Sequence, residues 1–128
     1  MSILENIKQV IADLERLRPQ IESAMSYNGG THTFDDLVSM VMTGRLRLWA
    51  FDQSVALTEI IEYPREKHYH VFIAGGKLSE LTDAMDDLLS AAQQAGCSKI
   101  TISGRKGFVK ALAGHGWKEQ STRCSYEV

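Results

Sequence analysis

Residues 68–103 decide the fold, and they read HYHVFIAGGKLSELTDAMDDLLSAAQQAGCSKITIS. The aromatic and β-branched residues from His68 to Ala74 predict a strand. Apolar residues then recur at helical spacing from Leu78 to Ala95, which predicts a long amphipathic helix. The residues from Lys99 to Ser103 predict a second strand. Because a strand, a helix and a strand at this spacing form a βαβ unit, the two strands should be parallel neighbours.

Two more strands are predicted before this unit. The alternation of side chains indicates one strand from Arg45 to Asp52 and another from Val55 to Tyr63. The connections at 53–54 and 64–67 are too short for a crossover between parallel strands. The two strands and the one that begins at His68 should therefore form an antiparallel meander.

The N-terminal segment has the pattern of an amphipathic helix. Ser2 and Glu5 match a capping box at its start, and Pro19 should kink the helix or begin a second one. The apolar stripe of this segment either packs on the core of the domain or forms the short coiled-coil seam of a homodimer. The stripe consists of Ile3, Leu4, Ile7, Val10, Ile11, Leu14, Leu17 and Ile21.

The remaining elements complete a mixed α/β (α+β) fold. Turn residues at 27–30 end the first helical segment, and Thr33 can cap the next helix, which Gly44 can close. After the βαβ unit, the residues from Gly107 to Ala113 predict a last helix. The residues from Trp117 to Val128 predict a final strand or hairpin.

Composition and charge limit the classes of function. The chain has 128 residues, of which 44% are apolar and 23% charged, as expected for a single domain over residues 1–128. Its net charge of −2 argues against a nucleic-acid binder. The sequence signals neither a secretory leader nor a membrane-spanning stretch, so a cytoplasmic protein is expected.

Trp49 leaves two interpretations open. It lies on the strand face opposite to Leu48, beside Arg45 and Arg47. At that position its ring could form an exposed binding patch, or it could cover the sheet beneath a helix.

Short motifs along the chain carry a family resemblance. They are Asn28-Gly29, Thr31-His32-Thr33, Tyr63-Pro64-Arg65, Ala74-Gly75-Gly76, Gly104-Arg105-Lys106-Gly107 and the closing Gly116-Trp117. With these motifs on this order of elements, the chain resembles the GNAT acyltransferases, and among them small GNAT-like proteins encoded by tailed bacteriophages. The resemblance implies a GNAT-like mixed sheet and an acetyl-CoA-dependent transfer of an acyl group to an amine. It also implies a location in the host cytoplasm.

The resemblance places the cofactor at the start of the long helix, where backbone N–H groups would hold the pyrophosphate of acetyl-CoA. Gly75 and Gly76 could let the backbone approach the phosphates, or they could simply turn the strand into the helix. The spacing of the family signature, Gln/Arg-x-x-Gly-x-Gly/Ala, is not matched here. The implied cofactor-binding residues are Ile73, Ala74, Gly75, Gly76, Lys77 and Ser79, together with Arg105 and Lys106 before the last helix.

The resemblance also requires a base for the acceptor amine and an acid for the leaving thiolate. Glu59 shares a strand face with apolar residues, so it is the candidate for the base, or else one partner of a salt bridge at the edge of the sheet. Leu112 stands where many family members have an acidic Tyr in the last helix. Tyr126 or Cys124 could supply the acid in its place, or Tyr126 could be only a packing or surface residue.

A metal centre is not predicted. His68 and His70 share a strand face, but the sequence signals no third ligand for a metal ion. Cys97 and Cys124 also lack the spacing of a metal site.

Two hypotheses of function follow. The first is an acetyl-CoA-dependent N-acyltransferase that acts on an amine. The second is a catalytically inactive protein on the same fold, such as a phage accessory or structural protein, which works by binding a protein partner. A homodimer through the N-terminal helix is compatible with both hypotheses.

Overall fold

The structure is a computed structural model that describes residues 2–27, 30–103, 106–121 and 124–128. The chain forms a mixed α+β fold. The predicted order of elements is confirmed up to the last helix, and the C-terminal segment after it differs from the prediction. In chain order the elements are α1 (Ile3–Arg16), α2 (Arg18–Met25), α3 (Phe34–Met42), β1 (Arg47–Ala50), β2 (Val55–Glu62), β3 (Lys67–Gly75), α4 (Leu78–Asp83), α5 (Met85–Gln94), β4 (Lys99–Ile102) and α6 (Lys106–Ala113).

The N-terminal pattern divides into two helices at Leu17. Ser2 accepts a hydrogen bond from the backbone N–H of Glu5 at 3.2 Å, which caps α1. Pro19 lies in the first turn of α2. The backbone N–H that proline lacks would have no partner within the helix at this position, so the helix loses no hydrogen bond. The prediction that Pro19 marks a second helix is therefore confirmed.

The start of α3 is fixed by a reciprocal capping box. The hydroxyl of Thr33 accepts from the backbone N–H of Asp36, and the Asp36 carboxylate accepts from the backbone N–H of Thr33 at 2.8 Å. After α3 the chain turns through Gly44, whose φ of 79° favours glycine. The predicted cap and the closing glycine are both observed.

The four strands form one sheet in the order β1-β2-β3-β4. β1 pairs antiparallel with β2, β2 pairs antiparallel with β3, and β3 pairs parallel with β4. The antiparallel meander and the βαβ unit are thus both confirmed.

Helices cover the two faces of the sheet. On the α1–α3 face, Leu57 and Ile73 of the sheet are buried against Leu14, Ile21 and Leu37. On the opposite face, which we call the α5 face, the core contains Tyr69, Leu88 and Ala92, with Trp49 packed against them. Trp49 therefore lies beneath a helix, and the guanidinium of Arg47 covers its ring at 4.1 Å.

A β-bulge interrupts the pairing of β2 with β3. Leu57 pairs with Ile73, but the next residue, Thr58, pairs with Val71, which leaves Phe72 as the extra residue of β3. Bulges bend a strand, re-aim side chains and often lie beside active sites.

The prediction of one long helix from Leu78 to Ala95 is wrong in one respect. The segment divides at Ala84 into two helices, α4 and α5. Thr82 and Asp83, two weak helix formers, precede the division. Ala84 itself is buried, and its ψ is near 0°.

The predicted C-terminal strand is not observed. Residues 117–121 and 124–128, which are the described part of this segment, form no strand. After Trp117 the sequence continues with six polar residues, 118–123, so it offers no apolar face that would hold a strand against the sheet. Across the described part of the chain, the helices are too short or too polar to cross a membrane.

Candidate functional site

The paired strands β3 and β4 part before β3 ends. Their pairing runs from His68 with Lys99 to Val71 with Ile102, where β4 ends, whereas β3 continues to Gly75. The segment 72–75 of β3 therefore passes beyond the last β4 pair and presents a strand edge on that side. The bulge at Phe72 lies directly at this split.

Three side chains of neighbouring strands lie in one row beside the split. Glu59 of β2 pairs with His70 of β3, which in turn pairs with Thr101 of β4. Strand alternation from Leu57 places this row on the α1–α3 face, and all three residues are partly buried. The His70 Nδ1 and the Thr101 Oγ1 are 2.8 Å apart and share a hydrogen bond. We call Glu59, His70 and Thr101 the polar row.

The environment of His70 favours its neutral form. Burial is the main cause that lowers the pKa of His70 below its usual value, since it disfavours the charged imidazolium. The Glu59 carboxylate opposes this shift, the neighbouring His68 adds to it, and a hydrogen bond with the backbone of Thr101 opposes it. At neutral pH the ring is therefore able to accept a proton.

One wall beside the polar row comes from the loop before α3. The ring of His32 meets the bulge residue Phe72 edge-on, with centroids 5.0 Å apart. The Nδ1 of His32 also shares a 2.8 Å hydrogen bond with the Thr31 hydroxyl. The loop 30–33 is thus held close to the strand that carries His70.

His68 is engaged with a carboxylate. Its Nε2 is 2.5 Å from an oxygen of Glu66, which also faces Lys99 at 3.6 Å and accepts from the Ser98 hydroxyl at 3.3 Å. The hydrogen bond from His68 is the main cause that lowers the pKa of Glu66. Within the described ranges, no three His, Cys, Asp or Glu side chains form a group that could hold a metal ion.

The two glycines of the expected cofactor segment are held tightly by the chain itself. A Cβ on Gly75 would lie 2.5 Å from the carbonyl oxygen of Gln20. A Cβ on Gly76, whose φ is 112°, would lie 2.5 Å from the carbonyl oxygen of Gln53 and from the hydroxyl of Ser54. These contacts support the interpretation that the glycines turn β3 into α4.

The start of α4 is occupied by side chains of the β1–β2 connection. The buried Ser54 hydroxyl accepts from the backbone N–H of Lys77 at 2.7 Å and donates to the Glu80 carboxylate at 2.6 Å. The backbone N–H of Gln53 donates to the same carboxylate at 3.0 Å. The Ser54 hydrogen bond is the main cause that lowers the pKa of Glu80. A carboxylate in this first turn disfavours a diphosphate there, so this part of acetyl-CoA does not fit.

A small apolar cavity lies beneath the split, on the α5 face. Its volume is about 30 Å³, enough for a group the size of a methyl or a water molecule. Within the described part of the chain, the Nε1 of Trp117 is buried at this cavity without a hydrogen-bond partner. The lining includes Val71, Ala74, Leu88, Ile102, Leu112 and Trp117. The cavity lies on the face of the sheet opposite to the polar row, whereas the strand edge at 72–75 offers backbone groups that suit the amides of a thioester cofactor.

The other predicted site residues lie apart from the polar row. Ile73 is buried in the core of the α1–α3 face, and the residues Lys77 and Ser79 are exposed near the start of α4. Tyr126 has 93% of its surface exposed in the C-terminal segment. Arg105 lies outside the described residues, and of Lys106 the structure describes only that it begins α6.

Similarity to solved structures identifies the fold. The chain matches the wild-type TTHA1254 protein of Thermus thermophilus with a TM-score of 0.57 and 18% identity, covering 90% of this chain and 92% of that one. It matches a predicted acetyltransferase of Clostridium acetobutylicum, solved with acetyl-CoA, with a TM-score of 0.60 and 11% identity over 98% and 92% of the two chains. A Trypanosoma brucei acetyltransferase matches with a TM-score of 0.54 and 11% identity over 74% and 78%. The fold is GNAT-like.

At these identities the similarity shows the GNAT-like fold and nothing finer. No protein-family model matches the chain. No curated protein matches it in sequence. The chemistry of this GNAT-like chain must therefore be argued from its own residues.

Proposed function

We propose that this protein is an N-acyltransferase that moves an acyl group from acetyl-CoA to an amine. The observation that supports the proposal is the polar row, which lies on the sheet where β3 and β4 part. When bound, acetyl-CoA supplies a thioester carbonyl. A partly buried row that contains a neutral imidazole and a carboxylate is suited to take the proton of an attacking amine. The proposal includes a cytoplasmic location.

The residues of this chain suit the amide-containing arm of acetyl-CoA better than its phosphate end. The edge of β3 at 72–75 can pair with the amide groups of acetyl-CoA. At the phosphate end, the hydrogen bonds among Ser54, Lys77 and Glu80 occupy the helix start. Any phosphate contacts would come from the side chains of Lys77 and Ser79, with Arg105 and Lys106 as the remaining sequence predictions. We therefore expect this chain to bind acetyl-CoA more weakly than a GNAT-like protein whose helix start is free to hold the phosphates.

Acetyl-CoA binding tests the proposal directly. We expect isothermal titration calorimetry to detect binding, and Lys77→Glu to weaken it by about tenfold, because one charge-assisted phosphate contact is worth roughly 1.5–3 kcal/mol. Lys8→Glu, the same charge change on the exposed surface of α1, is the matched control and should bind like the wild type. No heat of binding at millimolar acetyl-CoA would overturn the proposal.

A second candidate function is an interaction protein, such as a phage accessory protein, that has kept the fold without its chemistry. The observation that favours it is an apolar stripe on the first turns of α1. Leu14 and Leu17 continue this stripe into the core, but its N-terminal part stays exposed. The exposed residues are Ile3, Leu4, Ile7 and Ile11, with exposures of 80%, 61%, 41% and 45%. A second copy of this chain is the partner that we propose for this surface.

The oligomeric state tests this second candidate. We expect light scattering to find a dimer at micromolar concentration, and Ile7→Lys to raise the dissociation constant at least tenfold by placing a charge in the seam. Ile60→Lys, at an isoleucine of similar exposure on the sheet, is the control and should leave the dimer intact. A wild-type chain that stays monomeric at high concentration would rule out the homodimer.

A further inference from the structure

We infer that His70 is the proton acceptor for the amine in the proposed acyl transfer, and that Thr101 is the positioning residue that orients its ring. The inference rests on the proposed function and deepens it, because it assigns a role to residues that no similarity reported above assigns. It also changes the role of Glu59 from the base to the counter-charge of the base.

The position of His70 in the sheet is the first argument. His70 is the last β3 residue on the α1–α3 face before the split, and its pair with Thr101 adjoins the last pair between β3 and β4, Val71 with Ile102. A thioester that enters along the β3 edge at 72–75 would arrive next to this ring. Glu59 is one strand further from the split, on the far side of His70. His70 is therefore the polar-row base that is closer to the donor.

The hydrogen bond of His70 is the second argument. Its Nδ1 is 2.8 Å from the Thr101 hydroxyl. When Nδ1 donates to that oxygen, the lone pair that can accept a proton resides on Nε2. Thr101 thus holds the ring orientation, and in the tautomer whose proton is on Nδ1 it leaves Nε2 free to accept a proton, as the orienting partner of a general base does.

The charges around His70 suit a base that becomes a cation for a short time. Glu59 faces it from β2 and stabilises the imidazolium, while His68 on β3 has the opposite effect. Lys99 of β4 lies in the next row, where Glu66 compensates its charge. On the side of α3, His32 contacts Phe72. Burial keeps His70 neutral at rest, and Glu59 offsets part of the cost of its protonation.

The proposed step transfers the acyl group and one proton. The amine nitrogen forms a bond to the acyl carbon while the carbon–sulfur bond of the thioester breaks. The electron pair of that bond leaves with the sulfur as a thiolate. The proton lost by the nitrogen moves to Nε2 of His70 and then to the thiolate through solvent. The products are an N-acyl amine and a free thiol, and His70 ends in its neutral form.

Proton NMR titration tests the placement of His70 without any need for turnover. We expect the pKa of His70 to lie below its usual value, as the burial of the ring requires. Glu59→Gln should lower it further, because this change removes the anion that favours the imidazolium. Thr101→Val should shift the titration, while Thr101→Ser, which keeps the hydroxyl, should restore it. A His70 that titrates identically in all four proteins would overturn the inference.

Turnover with acetyl-CoA and a panel of primary amines, followed by release of the free thiol, tests the catalytic role. We expect His70→Asn, whose amide can keep the bond to Thr101, to lower kcat by about 10²–10³-fold. Calorimetric binding of acetyl-CoA should stay within about threefold of the wild type. The wild-type rate should rise with pH through the pKa of His70, and this acidic limb should vanish in the variant.

The outcomes separate the two levels of the argument. If the wild type acetylates an amine and His70→Asn does so equally well, or keeps the acidic limb, the assignment of His70 is wrong while the acyltransferase proposal stands. If the wild type neither binds acetyl-CoA nor acetylates any amine in the panel, the acyltransferase proposal and the role of His70 are both wrong.

Discussion

Replacement of Gly76 by alanine is expected to lower the free energy of unfolding by about 4 kcal/mol. The backbone φ of 112° lies where an L-residue is strained, which costs roughly 1–2 kcal/mol. The new Cβ would also lie 2.5 Å from the Gln53 carbonyl oxygen and 2.6 Å from the Ser54 Cα. Because both contacts involve the backbone of the β1–β2 connection, relief requires the connection to move, at a further cost of about 1–3 kcal/mol.

Urea denaturation of Gly76→Ala and Gly96→Ala measures the two contributions separately. Gly96 also has a positive φ, 76°, but a Cβ there would meet nothing within 4 Å. We therefore expect Gly96→Ala to cost only about 1–2 kcal/mol, the strain alone. Equal losses of unfolding free energy in the two variants would show that the contacts of the new Cβ with the β1–β2 connection add nothing to the cost of Gly76→Ala.

The expected instability of Gly76 variants limits their use as tests of acetyl-CoA binding. A variant of Gly76 that carries an acidic side chain would lose acetyl-CoA binding through misfolding as readily as through repulsion of phosphate. Gly75 is constrained in the same way by the Gln20 carbonyl. Lys77→Glu is the cleaner test because the Lys77 side chain is exposed. The glycine pair that suggested a phosphate cradle in the sequence is explained by packing in the structure.

Local patterns in the sequence were sufficient to predict most of the fold. Pro19 marked the start of α2, and Thr33 marked the start of α3. The short connections at 53–54 and 64–67 required antiparallel pairing, and the spacing of the βαβ unit required parallel pairing. Each of these features depends on residues that are close in the chain, where steric rules and hydrogen bonding act directly.

The composition of the polar row could be predicted only in part. Strand alternation placed Glu59 on the face that carries Leu57, and His68 and His70 on one face of β3. The pairing of Thr101 with His70 depends on the register between β3 and β4, and tertiary packing sets this register. The depressed pKa of His70 depends on burial, which a sequence pattern does not give. The alternation of His68 and His70 is the available signal for this base in the sequence.

The contact of Ser54 with Glu80 could not be predicted, because the two residues are far apart in the chain and neither belongs to a motif. Their hydrogen bond at 2.6 Å fills the helix start that the family resemblance reserves for a phosphate. The division of the long helix at Ala84 was missed for a related reason. The apolar period continues through Ala84, so the periodicity gives no sign of the division.

Replacement of Thr58 by valine is expected to lower the free energy of unfolding by about 3 kcal/mol, although the two side chains have nearly the same shape. Thr58 is 1% exposed on the α5 face. Its hydroxyl accepts from the indole N–H of Trp49 at 3.0 Å and donates to the hydroxyl of Tyr69 at 3.0 Å. Valine would leave both groups without this partner inside the protein, and each unmet buried polar group costs roughly 1–3 kcal/mol.

Chemical denaturation of three further variants distinguishes the lost hydrogen bonds from lost packing. Thr58→Ser keeps the hydroxyl and removes one methyl group, so it should cost only about 1 kcal/mol. Tyr69→Phe removes the hydroxyl that Thr58→Val would leave unpaired. The double variant Thr58→Val with Tyr69→Phe should therefore be more stable than the sum of the single losses predicts, by about 1 kcal/mol. If the two losses simply add, the Thr58 and Tyr69 hydroxyls are not coupled, and the cost of valine does not arise from the loss of the hydrogen bond with Tyr69.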